Sequence, residues 1–202
     1  MEVEICSLQG GRMKFDFCTE LSVSVNVDDI FQQISRAFDN EPHLLKVSAS
    51  ELTESFDQKL SMVVMLGGKP VGHTRLLKLT EGDSSSGEWY ELGSTWVHPD
   101  YRNHQLNAQM YEKFLPRHED KNVLATTTNV ASLAVGRKIE LVTIPRRSLP
   151  ENVWVASCTC SAEKTGVDEN SGCLLAYSEV QQCKGPCWFR VTKSTAERLG
   201  LI

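Results

Sequence analysis

The chain has 202 residues, 41% hydrophobic and 23% charged, an ordinary globular balance that supports one well-buried core. No run of 18 or more apolar residues occurs, which excludes a membrane-spanning helix. A net charge of -5, with no basic run longer than Arg146-Arg147, excludes the concentrated basic face that nucleic-acid binding requires.

The amino end, Met1-Glu2-Val3-Glu4-Ile5-Cys6, has no basic segment followed by an apolar one, so no secretory signal is read and the cytoplasm is the expected compartment. Residues 14–25 alternate and are rich in Val, Ser and Phe, which predicts a strand. From Asp28 the period lengthens. Ile30, Ile34 and Phe38 fall at helical spacing, Asn26 or Asp28 can cap the start, and Pro42 closes the helix. Ser48 and Glu51 have the spacing of a capping box, predicting a second helix to about Phe56.

Residues 60–66 are apolar, Gly67-Gly68-Lys69-Pro70 is turn chemistry, and residues 71–79 resume as a strand, which together make a hairpin. After a polar loop over 81–87, residues 89–97 form a strand that Pro99-Asp100 breaks. Leu106, Met110 and Phe114 place a helix over 103–115, stopped by Pro116. Residues 123–128 read as strand and 131–141 as helix. Residues 153–159, 173–180 and 188–192 are the expected closing strands. Strands alternating with helices after a hairpin start imply an α/β fold with a mixed sheet covered on both faces. No linker divides residues 1–202, so a single domain is expected.

The richest segment is the strand-to-helix junction from Trp96 to Asn107. Backbone N–H groups and the positive end of a helix converge at such a junction and suit a phosphate. Val97-His98-Pro99-Asp100-Tyr101-Arg102 resembles the start of the coenzyme A loop of the GNAT (GCN5-related N-acetyltransferase) family. There, a strand ending Val-x-Pro-x-Tyr-Arg precedes a pyrophosphate-binding turn. Residues 129–141, from Asn129 through Ser132 and Lys138 to Leu141, resemble the family's Asn-x-x-Ala-x-x-Leu-Tyr-x-Lys-Leu-Gly-Phe helix. With the hairpin, the resemblance covers about residues 60–145.

The resemblance implies a GNAT-like, mostly antiparallel sheet flanked by helices on both faces. It also implies acyl-coenzyme A, acetyl-coenzyme A above all, as co-substrate, and an amine of a small molecule or peptide as acceptor. Glu91, six residues before Val97, is the implied general base, and the Val97 N–H the implied oxyanion donor. Trp96, Val97, Arg102, Asn103, His104, Gln105, Leu106, Asn107, Asn129 and Ser132 are the implied cofactor contacts. The acceptor is expected between residues 31–55 and the final strands.

Four positions depart from the family pattern. Gln105 and Asn107 stand where the turn keeps small residues that let backbone approach a diphosphate. Gly136 stands where a tyrosine often returns a proton to the leaving thiolate, and Glu140 replaces a helix-ending glycine. The departures support a second expectation, a GNAT-like binding or interaction module without turnover.

Seven cysteines are an odd count, against a fully paired disulfide framework. Cys158, Cys160, Cys183 and Cys187 invite a zinc reading. The three-residue gap between the last two is not the usual knuckle, and buried or surface thiols are the favoured reading over zinc, redox or disulfide roles.

Overall fold

The computed structural model describes residues 13–22, 25–41, 44–80, 87–127, 130–157, 167–168, 172–173 and 188–202. Seven strands form one mixed sheet in the order β1-β2-β3-β4-β5-β9-β6, and two short strands pair apart from it. In chain order these are β1 (Asp16–Cys18), β2 (Ser61–Leu66), β3 (Lys69–Thr80), β4 (Trp89–Val97), β5 (Asn122–Thr127), β6 (Val142–Ile144), β7 (Val167–Asp168), β8 (Gly172–Cys173) and β9 (Trp188–Val191). The pairings β1–β2, β2–β3, β5–β9 and β6–β9 are antiparallel, and β4–β5 is parallel. That is the mixed, mostly antiparallel sheet expected.

The chain divides into two compact units. The first comprises Met1–Leu76 and Ser94–Phe114. Its helix α1 (Val27–Asp39) begins where the Asn26 side chain accepts the Asp29 N–H, with Asp28 and Asp29 favourably placed at the positive end. Ile30, Phe31, Ile34 and Phe38 form its buried stripe. The helix stops at Asp39, where the Asn40 side chain donates to the Arg36 carbonyl; Pro42, the expected stop, lies outside the described residues. Helix α2 (Ala49–Asp57) opens on the full Ser48/Glu51 capping box. Both helices bury apolar residues against Cys18, Val63, Met65 and Trp96 of the sheet.

β1 is much shorter than the alternation over 14–25 predicts, because pairing with β2 ends at Cys18↔Val63 and the chain bends at Thr19 and Glu20. The hairpin turns on Gly67 and Gly68, both at positive φ (57° and 80°), as a two-residue turn that follows the sheet twist demands. β3 faces both ways. His73 lies against Phe31 and Phe38 of α1, while a Cβ on Gly72 would stand 3.4 Å from Met110 Sδ. Met110 belongs to helix α3 (Leu106–Phe114), so helices cover both faces of this part of the sheet.

The second unit comprises Leu77–Gly93 and Leu115–Ile202. Helix α4 (Val130–Lys138) follows β5. Residues 153–157 of the strand expected over 153–159 lie instead in helix α5 (Glu151–Ser157), and residues 158–159 lie outside the described residues. Pro150 precedes its first turn and its carbonyl accepts the Trp154 N–H at 3.1 Å, a start that proline favours. Val153 and Trp154 thus enter the core from a helix, beside Trp89, Leu124, Ile144, Phe189 and Val191. β6 and a last helix, α6 (Lys193–Arg198), capped by Thr192, were not foreseen. Of the strand expected over 173–180, only Cys173 is described, in β8.

The helix expected over 103–115 starts later. Pro99–His104 is a 3-10 turn, α3 proper begins at Leu106, and it ends at Phe114, ahead of Pro116, which lies within a further 3-10 turn (Leu115–His118).

Candidate functional site

β4 organises the site. Among the described residues its pairing with β5 covers Trp89↔Asn122, Tyr90↔Val123 and Glu91↔Leu124 and stops there, although β4 runs on to Val97 and β5 to Thr127. Three residues further, Ser94 has φ 48°, left-handed backbone inside a strand, which is the mark of a bulge. For a residue with a Cβ this costs about 1 kcal/mol and persists only where neighbours enforce it. At the far end, the His98 N–H donates to the Val71 carbonyl at 2.9 Å. Successive strand amides point to opposite edges, so the Val97 N–H is directed to the edge of β4 away from β3.

Glu91 is half-buried, and the Thr126 hydroxyl donates to its Oε1. Burial pushes its carboxyl above the ordinary glutamate range, and the Thr126 bond pulls more weakly the other way. A carboxylate of raised basicity is suited to taking a proton. Strand pairing puts Glu91 on the same face as Leu124, above the core that includes Trp154.

The turn after β4 carries the expected cofactor contacts. Trp96 and Leu106 are buried core side chains, so only their backbone is available to a ligand. Arg102 does not stand free. Its Nε donates to the Val97 carbonyl at 3.2 Å, and an Nη pairs with the Glu41 carboxylate at the end of α1. Asn103, His104 and Gln105 are exposed. The His104 ring lies 5.7 Å from Phe15 and 6.3 Å from Tyr101, centroid to centroid, in an aromatic cluster.

Gln105 has φ 56° and ψ 25°, the left-handed conformation that favours glycine. The glycine geometry is therefore kept without the glycine, at about 1 kcal/mol of strain. Asn107 turns inward: its Oδ1 is buried without a partner among the described residues, so it does not stand over the exposed turn. Glu140, at the other glycine position, behaves like Gln105. Its φ is 59°, and the Leu141 N–H closes back on the Gly136 carbonyl at 2.9 Å, so the left-handed helix end survives the change of residue.

In α4, a Cβ on Gly136 would meet Arg190 Nη1 at 2.0 Å. The Arg190 guanidinium, buried on β9, donates to the Ser132 carbonyl at 2.8 Å and approaches the Ser132 hydroxyl at 3.4 Å. The space expected for a tyrosine side chain thus belongs to an arginine. Ser132 is engaged by that arginine, and Asn129 lies outside the described residues.

The cysteines that invite a zinc reading (Cys158, Cys160, Cys183 and Cys187) also lie outside them; among the described residues no group of three or more His, Cys, Asp or Glu could hold a metal. Cys18 is a buried free thiol, its pKa pushed up to about 11 by burial and by Asp16.

Sequence reasoning passed over several residues around β4. Thr126, Glu41 and Arg190 carry no motif. His73 and Arg75 did carry a signal, the polar run His73-Thr74-Arg75 between the apolar Val71 and Leu76 of the strand.

The acetyltransferase (GNAT) family model matches residues 27–138, more than half of the chain. Among solved structures, the NatC complex bound to Gag peptide and CoA matches with a TM-score of 0.57 and 11% identity, over 89% of this chain and 98% of that one. A putative acetyltransferase from Acinetobacter baylyi matches at 0.54 and 14%, over 91% and 93%. Arabidopsis thaliana Naa50, in complex with the bisubstrate analogue CoA-Ac-MVNAL, matches at 0.54 and 7%, over 89% and 98%. No curated protein sequence matches significantly. With its motifs, its mixed sheet and a family match over more than half its length, the chain belongs to the GNAT acetyltransferase family.

Proposed function

We propose that this protein is an acyl-coenzyme A-dependent N-acyltransferase, acetyl being the expected group. An amine of a small molecule or peptide attacks the thioester directly. The observation that carries this reading is the edge of β4: its pairing with β5 stops at Glu91↔Leu124, while the Val97 amide is directed to that edge.

Coenzyme A supplies the acyl group as an activated thioester, with amides along its pantetheine arm. Free strand backbone pairs with such amides as it would with another strand. The Val97 N–H donates to the thioester carbonyl oxygen as negative charge develops there. Residues 102–107 offer an exposed turn whose Gln105 already holds the conformation a diphosphate cradle needs. Arg102, through Val97 and Glu41, fixes the start of that turn.

An amine at neutral pH is mostly protonated, so a base must take its proton before attack. Glu91 takes it, its basicity raised by burial. Gly136 has no proton to give the departing thiolate, and Arg190 remains protonated under all working conditions. A thiol of pKa about 8.5 leaves tolerably with water as the acid, so turnover does not require the tyrosine. NatC and Naa50 were solved with peptide or peptide-like ligands, and the N-acetylglutamate synthase of Neisseria gonorrhoeae with coenzyme A and N-acetyl-glutamate. Both acceptor classes therefore belong in a substrate screen.

The second reading, a binding module without turnover, draws on Arg102 being occupied by Glu41 and on the arginine beside Gly136. Calorimetric titration with acetyl-coenzyme A is expected to give one-site binding. No heat and no thermal shift at millimolar ligand would remove the acyltransferase reading. Binding without transfer to any amine in a broad panel would favour the module.

A further inference from the structure

We infer that His73 and Arg75 are positioning residues: together they clamp Ser94 and so hold the edge of β4, residues 92–97, in the shape that accepts the pantetheine arm. The inference rests on the acyltransferase reading, since the arm is what the edge is for.

Ser94 is where β4 leaves regular geometry, at φ 48°. Gly93 stands beside it, yet among the described residues it is not one of the glycines at positive φ. The strained conformation therefore falls on the residue with a side chain, next to one that would adopt it freely. That choice is explained by what grips Ser94. Its backbone carbonyl faces His73 Nδ1 at 3.0 Å, and its Oγ accepts from Arg75 Nε at 3.0 Å. A carbonyl cannot donate, so Nδ1 carries the proton. Main chain and side chain of one residue are thus held from two points on β3.

Both grips are themselves immobilised. His73 is fully buried between Phe31, with centroids 6.4 Å apart, and Phe38, at 5.7 Å. Its Nε2 is buried without a hydrogen-bond partner among the described residues, so the Ser94 carbonyl is the polar contact that orients the ring. Arg75 is 5% exposed, and its Nη1 reaches the Ser55 hydroxyl at 3.4 Å, which in turn donates to the Glu51 carbonyl within α2. Burying a guanidinium is costly unless its geometry is used. Here it ties α2, β3 and the bulge of β4 together. All of these contacts lie within one compact unit.

The test compares Ser94→Ala, Arg75→Met and their double variant, with His73→Phe filling the gap between the two phenylalanines without the bond. Amide hydrogen exchange of residues 92–97 and calorimetric coenzyme A affinity are read on each. A clamp predicts that Ser94→Ala and Arg75→Met each speed exchange on β4 about tenfold and weaken coenzyme A about five- to tenfold, as loss of a bond to a charged donor implies. The double variant should be no worse than the worse single, because both break one contact. His73→Phe should act in the same direction. Additive losses, unchanged exchange at 92–97, or faster exchange with coenzyme A affinity intact would each overturn the inference. Ser94→Ala removes only an oxygen, so it carries the test even if Arg75→Met folds poorly. If the wild-type protein takes no coenzyme A, the acyltransferase reading falls by itself, while the exchange comparison still decides the clamp.

Discussion

In the proposed mechanism Glu91 carries the largest chemical burden, and its surroundings give three separable predictions. Glu91→Gln keeps an acceptor for the Thr126 hydroxyl but removes the base. Turnover is expected to drop about 10²- to 10⁴-fold, with coenzyme A affinity near wild type; unchanged turnover would remove Glu91 from the mechanism. The same variant should melt higher at neutral pH. Burial raises the folded-state pKa of Glu91, so its ionisation works against folding once pH rises through that value, and glutamine has no charge to bury. Thr126→Val tests the hydroxyl. Its bond lowers the Glu91 pKa, so without it the acid limb of the kcat/KM profile should move to higher pH; a shift to lower pH would contradict the assignment.

His73 supplies a stability signature on the same scale. Burial holds its pKa down at about 4, against 6.5 for an ordinary histidine. A depressed pKa contributes stability that is present above 6.5 and lost as pH falls towards 4, about 3 kcal/mol over that window. His118 is also lowered, by burial first and then by Lys121, and adds to the same trend. Denaturant titrations between pH 7 and 4 should therefore slope less for His73→Phe than for the wild type. Equal slopes would show that His73 does not stay neutral in the folded protein.

At the scale of elements, the Arg190 guanidinium of β9 packs against α4 at Ser132 and Gly136. A glycine inside a helix costs about 1 kcal/mol against alanine, so propensity alone says that Gly136→Ala stabilises. The Arg190 guanidinium says otherwise, because a Cβ would stand 2.0 Å from its Nη1 and displace it from Ser132. The expected result is a loss of about 1–3 kcal/mol in chemical denaturation, despite the better helix former. A stabilised Gly136→Ala would mean that Arg190 relocates freely. Much of this scale could be read in advance. The Ser48/Glu51 capping box, the Gly67-Gly68 turn and the bounds of β4 were all local chemistry. α5 was not, because a short apolar run such as 153–155 suits a buried strand as well as a helix until its neighbours choose.

For the whole molecule, the pattern of elements led to a mixed sheet because a hairpin followed by alternating strands and helices has few other ways to bury its apolar faces. Seven strands in the order β1-β2-β3-β4-β5-β9-β6 realise that pattern, with the chain returning through β9 between β5 and β6. The two compact units each have their own apolar cluster, one gathered on α1 and α2, the other on α5, β5 and β9. That partition was not visible in a chain without a linker, because each unit collects segments distant in sequence.

The amino-acid order by itself determined the α/β class, the extent of β4 and the placing of Glu91, Val97 and the 102–107 turn, since each depends on residues a few positions apart. Tertiary structure alone decided what those residues touch. The Glu91–Thr126 bond joins positions 35 apart, the His73–Ser94 contact 21, and the Arg190–Ser132 contact 58. The left-handed backbone at Ser94 was equally beyond the sequence, because residue type argues against it and only enforced contacts can hold it there.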